Sequence, residues 1–129
     1  MNGPTRVVFD TCAAVFLIDK DKRMLALEED LAEAEKYVSI ITRMELYAKR
    51  DITVDELADV DSFFADVTVI PLNGIVEKTA IEIRGKSEPK IKLPDCIIAA
   101  TAIALGATCL TSDYHLLNLV WPGYTVQTI

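Results

Sequence analysis

The sequence predicts an α/β protein: a three-layer α/β/α sandwich around a central, mostly parallel sheet. Short runs of β-branched and aromatic residues alternate along the chain with stretches of helical periodicity, the pattern of repeated strand–helix units. Most of those runs are apolar throughout instead of at every second position, as in Val7-Val8-Phe9, so both faces of the sheet have to be covered. A length of 129 residues leaves no room for a second core of useful size, and 51% hydrophobic residues suffice for one. A single domain over residues 1–129 is therefore expected.

The first strand is read over residues 6–10, where an apolar run ends in Asp10, and a helix follows over 11–18. Residues 22–36 carry Leu25, Leu27, Leu31 and Ala34 between charged residues, which predicts one amphipathic helix. A second strand spans 37–41. Thr42 and Glu45 then have capping-box spacing and open a helix that runs to about residue 50. Thr53 and Glu56 repeat that spacing at the head of an amphipathic helix over 53–65. A third strand over 67–71 stops at proline.

Residues 73–85 form a helix with Asn73 as N-cap, and a polar loop over 86–93 carries Lys86, Lys90 and Lys92. Pro94 in the first turn and Gly106 just past the end bracket a long helix in the preferred order. That helix is apolar on nearly every face, so it should be buried against the sheet, where its alanines permit close approach. A fourth strand over 107–111, a helical turn over 113–118 and a last strand over 124–128 complete the chain.

The formal charge is −7, from 20 acids against 13 bases. Bulk electrostatic binding of nucleic acid is thereby disfavoured, and any such partner has to be held by a local basic patch or through bound cations. Arg84, Lys86, Lys90 and Lys92 cluster just before Asp95; they are the best candidate RNA-phosphate contacts, with a solvated loop as the alternative. Cys12, Cys96 and Cys109 are odd in number and form no CxxC pair, which fits a reducing cytoplasm. The longest apolar stretch, 96–110, has 15 residues, too few to span a bilayer.

Four acids stand out by position. Asp10 ends the first strand, Glu45 lies one turn into the helix after the second, Asp95 is in the first turn of the buried helix, and Asp113 follows the fourth strand. In an open parallel sheet, strand C-termini and the helix N-termini that follow share one edge, and ligands bind there. Singly, each acid is better explained by helix capping or a favourable helix dipole than by a functional role. Jointly they are not, because two carboxylates about 5 Å apart repel by roughly 3 kcal/mol at an effective dielectric of 20. A hard divalent cation such as Mg²⁺ or Mn²⁺ removes that cost and needs no histidine or cysteine. Such an ion serves phosphodiester hydrolysis, but also phosphatases and phosphotransferases.

The residues around the acids narrow the choice. Val8-Phe9-Asp10-Thr11, the stretch 39–46 ending Met44-Glu45-Leu46, Leu93-Pro94-Asp95-Cys96 with its Ile/Ala run to residue 102, and Gly106 followed by Thr111-Ser112-Asp113 together resemble the PIN-domain ribonucleases. Among these, the chain is most similar to the VapC-type toxins of toxin–antitoxin systems. The resemblance runs from residue 7 to near the end. It implies that Asp10, Glu45, Asp95 and Asp113 hold Mg²⁺ or Mn²⁺ for RNA cleavage, with Thr111 as a hydroxyl near the site and Thr11 as a supporting residue. It also implies an RNA substrate (tRNA or rRNA), a cognate antitoxin, a homodimer and no membrane. Cys12 departs from the serine or asparagine common in relatives, and a thiol is a poorer hydrogen-bonding group.

Two other functions compete. A catalytically silent PIN-like module for binding RNA or protein would be marked by loss of an acid, and all four are present. An aspartyl-phosphate enzyme would show Asp-x-Asp after the first strand, where this chain has Asp10-Thr11-Cys12. His115, the only histidine, reads as a surface or half-buried residue before a general acid, Cys96 and Cys109 as core packing, and Trp121 and Tyr124 as packing for a last strand or a dimer face, with base stacking as a lesser alternative.

Overall fold

The computed structural model describes residues 3–129. Its strands are β1 (Arg6–Phe9), β2 (Glu35–Ser39), β3 (Thr68–Ile70), β4 (Thr108–Thr111) and β5 (Thr125–Thr128). They form one sheet in the order β3-β2-β1-β4-β5, and every neighbouring pair is parallel. The helices are α1 (Thr11–Ile18), α2 (Lys22–Leu25), α3 (Glu28–Leu31), α4 (Ile40–Tyr47), α5 (Val54–Ala65), α6 (Gly74–Lys86), α7 (Leu93–Leu105) and α8 (Tyr114–Leu117). The predicted sandwich is thus the observed one.

The apolar strands divide their side chains between two cores, as the pleat requires. Val7, Phe9, Val38 and Leu110 join Met24, Leu31, Val60 and Phe63 from α2, α3 and α5 on one face, where the Phe63 ring meets Phe9 edge-on at 6.2 Å. Val8 and Cys109 join Val76, Ala80 and Ile83 of α6 and Ile97 and Ile98 of α7 on the other. Helix α7 is buried continuously over residues 96–102, and its one polar core residue, Thr101, satisfies its hydroxyl on Ile97 O at 2.8 Å. Gly106 ends it with φ 60°, the left-handed cap that only glycine adopts without strain. The next amide, of Ala107, closes the turn on Ala102 O at 2.9 Å.

Three elements differ from the sequence prediction. The single helix expected over 22–36 is two short helices, α2 and α3, followed by β2. Glu28, Glu29 and Asp30 all lie in the first turn of α3, where the helix dipole favours acids, and a continuous helix would place them mid-length. Glu35 and Lys36 are taken by the ladder to Arg6 and Val7. The second correction is the capping box at Thr42 and Glu45, which does not form: β2 ends at Ser39, whose hydroxyl caps α4 by accepting from the Ile41 amide at 3.1 Å. Glu45 therefore sits in the second turn. The third is small: Lys86 closes α6 and does not open the loop. The box at Thr53 and Glu56 is present in both halves.

The chain leaves β1 towards β2 and β3 on one side and reaches β4 and β5 on the other. The crevice beyond the C-terminal ends of β1 and β4 is the switch point where open α/β sheets bind ligands. Ile98 of α7, 1% exposed, belongs to the core between α6, α7 and the sheet. Ile98→Ala should lower unfolding free energy by about 2–5 kcal/mol, while Val54→Ala, at a residue 84% exposed, should stay within about 0.5 kcal/mol. Denaturant titration of the two variants checks the assignment of the core.

Candidate functional site

Asp10 turns the chain out of β1 and caps α1, its Oδ1 accepting from the Ala13 amide at 2.7 Å. It is only 3% exposed. The Thr111 hydroxyl donates to its Oδ2, and the Cys12 thiol lies 3.1 Å from both carboxylate oxygens. Burial pushes the Asp10 carboxyl above its ordinary range, the bonds from Thr111, Ala13 and Cys12 pull it back, and the charge of Asp113 adds to the upward push. The thiol at residue 12 does not leave this carboxylate unsupported.

Asp113 caps α8, its Oδ1 accepting from Leu116 N–H at 3.0 Å. Its own amide donates to Thr111 Oγ1 at 2.8 Å. One hydroxyl thus ties Asp113 to Asp10 across the junction of β4 and β1. Glu45, exposed on α4, accepts from the Thr11 hydroxyl at 2.5 Å, and Thr11 shares a second hydroxyl contact, 3.2 Å, with buried Thr42. Both threonines singled out in the sequence therefore position acids.

Asp95 is the third residue of α7. Its carboxyl is pushed up to about 6, first by burial and then by the charges of Asp113, Asp10 and Glu45, with Lys92 acting the other way. All four acids thus share one electrostatic neighbourhood. The basic cluster divides: Lys92 faces Asp95, Arg84 acts on Cys96, Lys86 ends α6, and Lys90 is exposed in the loop. Among the described residues none of the four is in a salt bridge.

The sequence reading missed Ser39 as the cap of α4, and Thr42 and Ser112 as supports. Ser39, Thr42 and Glu45 recur every three residues, so the signal for the earlier cap was present one turn upstream of the expected one. Ser112, 3.3 Å from the Cys12 sulfur, gave no signal, since the contact joins segments 100 residues apart.

Among the described residues no three histidine, cysteine or acidic side chains are already arranged as a ligand cluster for a metal ion. Like-charge repulsion and the separate hydrogen bonds of Asp10, Glu45 and Asp113 account for the spread. The donor set itself, carboxylate oxygens with flanking hydroxyls, suits a hard divalent cation.

These features define a parallel α/β sandwich with four acids that influence one another near the switch point of its sheet. Residues 7–121 match the PIN domain, and the chain belongs to that family, a family of nucleases acting on nucleic acid. No curated protein matches the chain significantly. Among solved structures it is similar to DNA-bound VapBC from Salmonella typhimurium, at 20% identity and a TM-score of 0.80 over 95% of this chain and 97% of that one. It is also similar to VapBC2 from Rickettsia felis bound to a promoter DNA fragment, at 21% identity and 0.78 over 95% and 98%. A third is VapBC-5 of Mycobacterium tuberculosis, at 20% and 0.71 over 98% and 100%. At such identities the likeness establishes the fold.

Because the Asp95 carboxyl is raised to about 6 from 3.8, the fold favours its neutral form. Its stabilising contribution is complete below pH about 3.8 and is lost as pH rises through about 6. In metal-free protein Asp95→Asn should therefore melt above wild type at pH 8, with the gap closing as the pH falls below 4. Thermal melts in chelator across that range check it; a gap independent of pH would contradict the assignment.

Proposed function

We propose that this protein is a metal-dependent endoribonuclease and the VapC-type toxin of a toxin–antitoxin pair, acting as a single nuclease domain over residues 1–129. What supports the reading is the electrostatic influence of Asp10, Glu45 and Asp113 on Asp95, acids from four chain segments of a PIN domain. Those four carboxylates would hold Mg²⁺ or Mn²⁺. A divalent ion so held activates water near neutral pH and offsets charge on the leaving oxygen of an in-line displacement.

The chain's own residues do the rest. Thr111 fixes Asp10 relative to Asp113, Thr11 fixes Glu45, and burial of Asp10 keeps solvent from loosening that anchor. Lys92, with Arg84, Lys86 and Lys90 nearby in sequence, supplies the local positive potential that a chain of net charge −7 otherwise lacks. The substrate is RNA, with tRNA or rRNA as the class, cleaved in the cytoplasm. The relatives named VapBC support an antitoxin partner; the toxin itself would act as a homodimer. No helix of the described residues is long and apolar enough to cross a membrane.

Purified protein with Mn²⁺ should cut total tRNA and rRNA at discrete sites, and chelator should stop it. Asp95→Asn should lower the rate on the order of 100-fold, and Thr111→Val, which removes a hydroxyl behind the carboxylates, by about 10-fold. If a broad RNA panel stays intact in the presence of bound Mn²⁺, the reading gives way to a catalytically silent PIN-like module that binds RNA or protein.

A further inference from the structure

A cavity of about 150 Å³ lies between the loop after α6 and helix α8, its lining including Lys86, Ser87, Glu88, His115, Asn118 and Trp121. Its two walls belong to the segments that deliver the acids. The loop leads directly into α7 and Asp95, and α8 begins at the residue after Asp113. A void of this size takes one aromatic ring, and it is below the range of pockets built for whole cofactors or drug-sized ligands.

The lining is mixed in a way that matches a nucleobase. Trp121 packs against the core on its inner side and still borders the cavity, so one face has a rigid aromatic surface. His115 stands edge-on to Tyr114 at 5.6 Å, which adds a second aromatic edge. The Ser87 hydroxyl oxygen is buried without a hydrogen-bond partner, and an unpaired buried hydroxyl has an unmet demand for a polar group. Asn118, exposed and bonded to Tyr114 O at 2.8 Å through Nδ2, retains its carbonyl oxygen as an acceptor. Lys86 adds an ammonium outside any salt bridge among the described residues. A purely apolar peptide side chain would leave Ser87 and Asn118 unpaired.

We propose that this cavity is a base subsite: it takes one unstacked nucleobase of single-stranded RNA adjoining the cleaved bond, with Lys86 on the neighbouring phosphate. Stacking on Trp121 is sequence-tolerant, while the polar edge of Ser87 and Asn118 selects among bases. The proposal rests on the ribonuclease reading above and adds to it where base preference resides.

Trp121 is the only tryptophan, so its fluorescence reports the subsite directly. The Asp95→Asn protein, held in chelator so that cleavage is suppressed, is titrated with five-nucleotide homopolymers of A, C, G and U. Saturable quenching is expected, strongest for one base. Ser87→Leu, which fills the cavity, and His115→Ala, at an exposed residue, should each weaken binding by about 10-fold, with melting curves confirming that both variants fold. In wild-type background the same variants should alter the base preference next to the cut.

Unchanged Trp121 emission with every homopolymer, while wild type cleaves RNA with a pattern that neither variant alters, would overturn the subsite and leave the nuclease standing. Quenching by RNA with no cleavage by wild type would keep the subsite and remove the nuclease. Quenching by a short aromatic peptide but by no oligonucleotide would overturn the proposal in favour of a protein-docking pocket.

Discussion

A carboxylate that is 3% exposed at the end of the central strand sets the terms for the rest of this structure. Asp10 cannot stay charged there without donors, and it receives them from its own helix through Ala13 N–H, from β4 through the Thr111 hydroxyl, and from the Cys12 thiol. Each donor is also a geometric restraint. Together they fix how α1 leaves the sheet and how β4 lies beside β1. Because Thr111 also accepts from the Asp113 amide, the bond that satisfies one acid places the next.

Around that anchor the fold concentrates like charge where a folded protein ordinarily avoids it. Asp95 carries the consequence, its carboxyl raised to about 6 by burial and by three other acids. In the absence of a cation this is a local instability that the hydrophobic cores on the two faces of the sheet have to outweigh. Such stored destabilisation is in keeping with a binding site. Under the proposed function, a net charge of −7 is compatible with a polyanionic substrate because the attraction would be local, through cations and a few lysines.

Much of the architecture was legible in the sequence because a parallel sheet leaves a strong trace. Val7-Val8-Phe9 is apolar on both faces since each face has its own core, and Pro94 with Gly106 bracketed α7 because their backbone preferences are local. The failures arose where tertiary contacts overruled local pattern. Residues 35 and 36 fit a helical period but pair with β1, and Thr42 fits a cap but lies buried against Thr11. The convergence of the four acids was inferable from topology. Thr11 and Thr111, which orient them, came only through the family resemblance; the supports Thr42 and Ser112 and the unpaired Ser87 beside a cavity gave no sign, because those contacts join distant segments.

The account stands on the four carboxylates acting as one cation site. Calorimetric titration of Mn²⁺ into chelator-stripped protein at pH 6 tests this most directly, using buffers of different ionisation enthalpy. Saturable binding with proton release is expected, since Asp95 is part-protonated at that pH. Asp10→Asn, Asp95→Asn and Asp113→Asn should each weaken the binding. Absence of Mn²⁺ binding, or binding indifferent to all three substitutions, would contradict it.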